Sequence, residues 1–201
     1  MSENNQNNKN VNEQEQKQPE KRMELRLYIN SFEESALCNY TNVFVKAEEE
    51  LQRVKEKKLG KAMYPKITIR ISSYGGDTFV ADAVISMMEN LKKLGVEINT
   101  EACGFAYSSG MLVFIHGMKR TFINKDFTFL MWHQAWLAVA GKMTDVDTYL
   151  AFNKTKIMPM HEKYLFNNTK VTKEILANRC FDNKDWYIDY REAKKLGIVT
   201  E

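Results

Sequence analysis

The spacing of apolar residues along the 201-residue chain predicts strands and helices in alternation. Runs of alternating or β-branched apolar residues favour strands, and apolar residues three or four positions apart favour amphipathic helices. Such alternation is typical of βαβ units that build a mainly parallel sheet, so the predicted fold class is α/β. The predicted strands are 23–29, 67–72, 96–102, 121–123 and 127–132, and the predicted helices among them are 42–58, 79–95 and 109–117.

The pattern changes after residue 133. Residues 144–168 form one long helical pattern, which Pro159 interrupts and is expected to kink. Thr172 is predicted to cap a short helix, and a last small helix is predicted to end at Gly197. The first 22 residues are rich in Asn, Gln, Glu and Lys, so we predict a disordered polar tail over 1–22 and a single domain over 23–200.

Charge and composition argue against several classes of function. The formal net charge is +3, from 29 basic and 26 acidic residues, which is too small to indicate nucleic acid binding. No apolar run approaches the roughly 18 residues of a membrane span, and the N-terminus lacks the apolar region of a secretory signal. The three cysteines have no C-x-x-C spacing and fit free thiols in a reducing compartment, so a cytoplasmic location is predicted.

Ser108 and Ser109 stand where a predicted strand passes into a predicted helix, within GFAYSSGMLVFIHG (104–117). A turn at this place exposes a hydroxyl at the carboxyl edge of the sheet, where open α/β folds bind ligands. The helix N-terminus supplies free N–H groups that suit an oxyanion. On this stretch alone an ordinary helix start stays open as the alternative, because serine is a common N-cap residue.

Other candidate residues also follow strands. Gly75 and Gly76 lie in SSYGGDT, where adjacent glycines either form a tight turn or bring backbone N–H groups close to a ligand. His133 ends an apolar strand and suits the base that a serine nucleophile needs, and on its own a packed or solvent-facing structural histidine stays open as the alternative. His116, in an apolar segment, is predicted to be structural, and His161, among charged residues, is predicted to be solvated.

Four segments, taken in order, resemble the proteolytic subunit of the Clp protease. They are ISSYGGDTFVADAVISMMENLK, CGFAYSSGMLVF, FLMWHQA and YREAKKLGIV, and the resemblance covers residues 67–200. They are similar to the family's Ser-Pro-Gly-Gly turn, its Gly-x-Ala-Ala-Ser-Met-Gly nucleophile motif, its Met-Ile-His-Gln-Pro motif and its C-terminal helix. The resemblance implies a serine endopeptidase, a hydrolase that works with a Ser-His-Asp triad.

The motifs assign roles to particular residues. Aligning the glycines on either side of the serine pair puts Ser108 on the family's nucleophile and His133 on its base. The backbone N–H groups of Ser109 and Gly76 take the places of the oxyanion-hole donors. The family's aspartate falls on Asp185, and no metal or cofactor is implied. Two nearby carboxylates compete for the role of the acid: Asp182 and Asp189.

The resemblance also implies an architecture and partners. The implied fold is a ClpP/crotonase-like head of repeated βαβ units with a protruding helical handle at about 144–168. Handles in that family interleave between two stacked seven-membered rings, which enclose a chamber that admits unfolded or short polypeptides. Implied partners are therefore polypeptide substrates and further copies of the chain. An AAA+ unfoldase stays open, because the region before residue 67 lacks a recognisable ATPase-docking segment.

The sequence departs from the family's motifs beside the implied site. Tyr107 stands where the family has a small residue, Tyr74 and Ala135 stand where it has proline, and Trp132 and Trp136 flank the histidine motif. A bulky Tyr107 would narrow the site or change what it accepts. Two alternatives follow: a catalytically silent structural or regulatory subunit, and a crotonase-type acyl-CoA enzyme on the same fold.

Overall fold

The computed structural model describes residues 20–134 and 140–201. The predicted tail over 1–22 lies outside these ranges apart from its last three residues, and so do Ala135 and Trp136. The division of the chain into a tail and one domain therefore stays a prediction.

Six strands build one sheet in the described residues. They are β1 (Glu24–Ile29), β2 (Lys66–Ser73), β3 (Glu97–Tyr107), β4 (Arg120–Phe122), β5 (Phe129–Trp132) and β6 (Trp186–Ile188). The order is β1-β2-β3-β5-β6, and β4 also pairs with β3. All pairs are parallel except β5 and β6, which are antiparallel. The predicted α/β class with a mainly parallel sheet is confirmed.

Helices stand between most consecutive strands, and the first three of them pack against the sheet. The helices are α1 (Glu34–Glu56), α2 (Thr78–Lys93), α3 (Ser109–Ile115), α4 (Met143–Phe152), α5 (Met158–Asn168), α6 (Lys173–Arg179) and α7 (Tyr190–Lys195). Buried residues alternate with half-buried ones along β2, so Ile67, Ile69 and Ile71 form the centre of the core beneath α1, α2 and α3. Within the described ranges, no helix has both the length and the apolar character that a membrane crossing requires.

The strand that leads to the serines is longer than predicted. The pairing of β3 with β2 shifts register between Ile71 and Ser73. Gly104 lies in β3 opposite this irregularity and has a φ of 75°, a conformation that favours glycine. The strand predicted to end at residue 102 therefore continues through a bulge to Tyr107, immediately before Ser108.

The long helix predicted over 144–168 is present with one irregularity. A π-helical turn at Asn153–Ile157 joins α4 to α5, so helical backbone runs from Met143 to Asn168. Pro159 follows that turn directly. Because proline lacks an N–H group and crowds the carbonyl four residues earlier, a wider turn accommodates it. The expected disturbance takes the form of this π-helical turn.

Arg120 joins the C-terminal ends of several elements. Its side chain is buried, and its guanidinium donates hydrogen bonds of 2.7 to 3.4 Å to carbonyl oxygens at the ends of α3 and α5 and beyond α7. The acceptors are the carbonyl oxygens of Ile115, Gly117, Asn168, Gly197 and Ile198. Helix C-termini carry partial negative charge, which compensates the buried cation. Burial lowers the pKa of Arg120 below its ordinary value, and the side chain remains a cation.

The Arg120 contacts predict a large effect on stability. Arg120→Met leaves buried carbonyl groups without their donor and is expected to lower the free energy of unfolding by about 3–5 kcal/mol. Arg120→Lys keeps the positive charge but loses the several N–H donors of the planar guanidinium, so its free energy of unfolding is expected to fall by about half as much. Urea unfolding followed by tryptophan fluorescence measures both. A loss below 1 kcal/mol in Arg120→Met would contradict this role.

His116 lies in a buried polar cluster between α2, α3 and α5, as the structural role predicted for it requires. Its Nδ1 lies 2.8 Å from Glu89 Oε1, and the Tyr164 hydroxyl donates to the same carboxylate at 3.1 Å. Burial lowers the pKa of His116 to about 4, although Glu89 opposes this effect. Burial alone would raise the pKa of Glu89, but hydrogen bonds from Lys92 and His116 outweigh it and lower that pKa.

This low pKa predicts that the protein loses stability in mild acid. The unfolded chain binds a proton at His116 below about pH 6.5, whereas the folded protein does so only near pH 4. The unfolded state therefore binds more protons between these values, and the free energy of unfolding falls as the pH falls through this window. When the pH falls from 7.5 to 5, the free energy of unfolding of the wild type is expected to fall by about 2 kcal/mol more than that of His116→Gln. Urea unfolding at several pH values tests this, and parallel profiles would refute it.

Candidate active site

A glycine turn between β2 and α2 forms one wall of the site. Gly75 and Gly76 have φ angles of 106° and 144°. A Cβ atom at Gly75 would lie 2.7 Å from the Ser108 Cβ, so only glycine lets the serine approach this turn. A Cβ atom at Gly76 would lie 2.8 Å from the Phe32 carbonyl oxygen. Asp77 then caps α2 by accepting a hydrogen bond from the Phe79 N–H at 2.8 Å.

Ser108 connects β3 to α3 in a strained backbone conformation. Its φ is 52° and its ψ is −120°, a region that residues with a side chain rarely adopt. The sharp strand-to-helix turn directs the hydroxyl away from the core, a geometry that is also found at the serine nucleophiles of some hydrolases. A Cβ atom at Gly110 would lie 3.4 Å from Ile71 Cγ2 and 3.4 Å from the Ser73 carbonyl oxygen. The absence of a side chain at Gly110 therefore lets α3 approach β2.

The two adjacent serines have different surroundings. The Ser109 side chain is fully buried, and its hydroxyl donates to the Gly76 carbonyl oxygen at 2.8 Å. This bond ties the first turn of α3 to the glycine turn. Ser108 is half-buried, and its Oγ lies 2.7 Å from His133 Nε2. Ser108 is therefore the serine whose hydroxyl is available to a ligand.

His133 follows the last residue of β5 and lies opposite Asp185. Trp132 at the end of β5 pairs with Trp186 at the start of β6 in the antiparallel register. The residue after β5, His133, therefore lies beside the residue before β6, Asp185. The distance from His133 Nδ1 to Asp185 Oδ1 is 3.8 Å, which is longer than a hydrogen bond. The Asp185 side chain is 43% exposed, and its other oxygen lies 3.5 Å from the Tyr187 hydroxyl.

The two competing aspartates have other positions. Asp189 caps α7 by accepting a hydrogen bond from the Glu192 N–H at 2.8 Å. Asp182 lies in a 3₁₀ turn with a φ of 58°. Among the described residues, Asp185 has the carboxylate that lies within 4 Å of a His133 ring nitrogen.

A pocket of about 460 Å³ opens beside Ser108 and His133. Half of its lining residues come from α5 and α6, and the larger part of its surface is formed by apolar side chains. They include Leu112, Trp132, Met158, Phe166, Leu176 and Cys180. Burial raises the pKa of the Cys180 thiol, so this residue is a neutral part of the wall. The motifs gave no signal for these residues, because the pocket forms only when α5 and α6 fold back beside the site.

His161 corrects one prediction from the sequence. It was expected to be solvated among the charged residues of the long helix, but its side chain is only 11% exposed. Its Nε2 lies 2.7 Å from Asp82 Oδ1, because α5 packs beside α2 at this point. His161 also lines the pocket that contains Ser108.

Aromatic side chains flank Ser108 on the half-exposed face of the sheet. Tyr74 stacks on Phe105 with ring centroids 4.2 Å apart, and Tyr107 packs edge-on against both Tyr74 and Tyr187 at 5.8 and 5.6 Å. Burial raises the pKa of Tyr107, so its hydroxyl is neutral near pH 7. Tyr107, the main departure from the family's motif, therefore packs against neighbouring aromatic residues.

Comparison with known proteins agrees with the fold. The family model described as Clp protease matches residues 47–201. The chain is also similar to the ATP-dependent Clp protease proteolytic subunit 2 of Bacillus licheniformis, with 26% identity over 134 residues, which is 66% of this chain and 67% of the relative. The α/β sheet and its helices fit the ClpP-like fold that the motifs imply. The chain belongs to the Clp protease family.

Proposed function

We propose that this peptidase-family member is a serine endopeptidase in which Ser108 is the nucleophile, His133 the base and Asp185 the acid. The observation that carries the proposal is the 2.7 Å approach of His133 Nε2 to Ser108 Oγ beside a mostly apolar pocket. Serine is weakly nucleophilic at its free pKa, so a hydroxyl needs such a base to react. The strained turn at Ser108 supports the assignment, because backbone strain clusters at functional sites.

Catalysis would proceed through an acyl-enzyme. In the tautomer with its proton on Nδ1, His133 accepts a hydrogen bond from Ser108 at Nε2 and takes that proton as Oγ attacks the peptide carbonyl. The imidazolium then donates the proton to the leaving amine, and a water molecule hydrolyses the acyl-enzyme by the same steps. Asp185 stabilises the imidazolium from the Nδ1 side.

The backbone N–H groups of Gly76 and Ser109 would bind the oxyanion. Ser109 lies in the first turn of α3, where N–H groups have no acceptor within the helix. Its hydroxyl bond to the Gly76 carbonyl oxygen joins the two donors, so the hole would be preorganised rather than assembled on binding.

Self-assembly is the second part of the proposal. α4 has no buried residue, and large apolar side chains on α4 and α5 are exposed: Met143, Leu150, Phe152 and Met160. Such a helix suits a handle that packs against other copies of the chain, and the relative is named as a subunit. Copies that form rings around a chamber, with two stacked heptamers as the expected form, would admit unfolded or short polypeptides. An unfoldase partner and the cytoplasmic location stay predictions.

A catalytically silent subunit is the second candidate. The observation that favours it is the 3.8 Å separation of His133 and Asp185, with a carboxylate that is 43% exposed. Catalytic hydrogen bonds are often long before substrate binds, so this distance is compatible with activity as well. A crotonase-type acyl-CoA enzyme is the third, and stabilisation by coenzyme A in a thermal shift experiment would favour it.

Labelling distinguishes an active serine from a silent one. A fluorophosphonate probe is expected to modify Ser108 alone, as mapped by mass spectrometry of peptides. Ser108→Ala is expected to abolish labelling and to lower hydrolysis of an unstructured peptide by roughly 10⁴-fold or more, because base and nucleophile act as a unit. Ser86→Ala, an exposed serine on α2, serves as the control and should behave as wild type. Wild type that is neither labelled nor hydrolytic would favour the silent subunit.

Assembly through the long helix has a separate test. Phe152→Glu adds a charge to an exposed apolar position, so it is expected to shift native mass spectra toward smaller species. Lys156→Glu, at an exposed position of the same helix, is the matched control and should leave the distribution of oligomers unchanged. Equal oligomer distributions in both variants would contradict a handle at this surface.

A further inference from the structure

The two tyrosines near the site belong to one row across the sheet. Tyr107 of β3 pairs in register with Met131 of β5, and Met131 pairs with Tyr187 of β6. Residues in one row project from the same face of a sheet. The tyrosine rings meet edge to face, with centroids 5.6 Å apart and planes at 81°, and Met131 between them in the row is buried. The ring of Tyr187 therefore has a fixed neighbour although the residue is 57% exposed.

Tyr187 also lies beside the proposed acid. Asp185 immediately precedes β6 and is two positions from Tyr187, the spacing at which side chains of an extended chain share a face. The Tyr187 hydroxyl lies 3.5 Å from Asp185 Oδ2, and His133 Nδ1 lies 3.8 Å from Asp185 Oδ1. The two carboxylate oxygens thus face two different partners. An exposed carboxylate without a second partner would be free to rotate toward water.

We propose that Tyr187 is a positioning residue for Asp185 and that Tyr107 holds Tyr187 in place. The hydroxyl donates toward Oδ2 and leaves Oδ1 directed at His133. Both separations exceed ordinary hydrogen bond lengths, as catalytic contacts often do before substrate binds. This inference rests on the proposed function, since it acts through the triad. It gives Tyr107 a role: its ring supports, across the sheet, the residue that orients the acid.

A substitution that removes only the Tyr187 hydroxyl can separate this role from simple packing. If Tyr187 only covered Met131, phenylalanine would serve equally well, since its ring has the same shape. The hydroxyl matters only if it acts on Asp185. The effect of removing the hydroxyl must then depend on the Asp185 carboxylate. It must also lower kcat rather than raise KM.

The experiment compares Tyr187→Phe with wild type in the full-length protein. Proton NMR of the His133 Nδ1–H reports its hydrogen bond to the carboxylate, whether or not the protein hydrolyses peptides. We expect a downfield resonance in wild type that moves upfield or broadens by exchange in Tyr187→Phe. For peptide hydrolysis we expect kcat to fall about 3- to 30-fold with KM within twofold, since Tyr187 does not contact substrate. Tyr28→Phe, another tyrosine that is 57% exposed, is the matched control and should be unchanged.

A double-mutant cycle with Asp185→Asn decides the mechanism. The loss caused by Tyr187→Phe should disappear in the Asp185→Asn background, because the hydroxyl acts through the carboxylate. Tyr107→Leu, which removes the edge-to-face support, should reproduce the NMR change of Tyr187→Phe. The inference would be overturned if Tyr187→Phe lowered kcat equally in the wild-type and Asp185→Asn proteins. It would also be overturned if the Tyr187→Phe protein kept the wild-type Nδ1–H resonance. A wild type that shows the resonance but resists the fluorophosphonate probe would instead refute the proposed function alone.

Discussion

The antiparallel pairing of β6 with β5 is the interaction on which the site depends. It consists of three residue pairs, yet it brings a carboxylate from near the C-terminus to the histidine that follows β5. A slip by one residue would turn Asp185 to the other face of the sheet and move it away from His133. Trp186 and Ile188 of β6 are buried in the core, which fixes this register by hydrophobic packing rather than by hydrogen bonds alone.

Arg120 supports that pairing from a distance. It binds the carbonyl groups of Gly197 and Ile198, just after α7, and its backbone N–H donates to Thr200 Oγ1 at 2.8 Å. The segment that contains β6 and α7 is thereby tied back to the parallel part of the sheet. This buried cation thus links the C-terminal segment to the elements that precede Ser108 and His133.

The local pattern of apolar residues was sufficient to predict the two site residues that directly follow apolar strands. Ser108 and His133 could be predicted because each follows an apolar strand, and parallel strands end at the same edge. β6 was not predicted, because three residues carry no readable alternation and its pairing is set by tertiary contacts. The Asp82 partner of His161 and the apolar pocket were missed for the same reason: each needs α5 to pack beside elements that are distant in sequence.

At Ser108, the requirements of the proposed activity and of folding stability oppose each other, because the backbone there is strained. A non-glycine residue at a φ of 52° and a ψ of −120° costs roughly 1–3 kcal/mol, which glycine would recover. Replacement of Ser108, the proposed nucleophile, by glycine would therefore abolish the proposed chemistry while favouring the folded state. A lineage released from the need to cleave peptides could lose its nucleophile in one step without losing its fold or its assembly. Under the proposed function, the serine at this position therefore trades folding stability for a reactive hydroxyl.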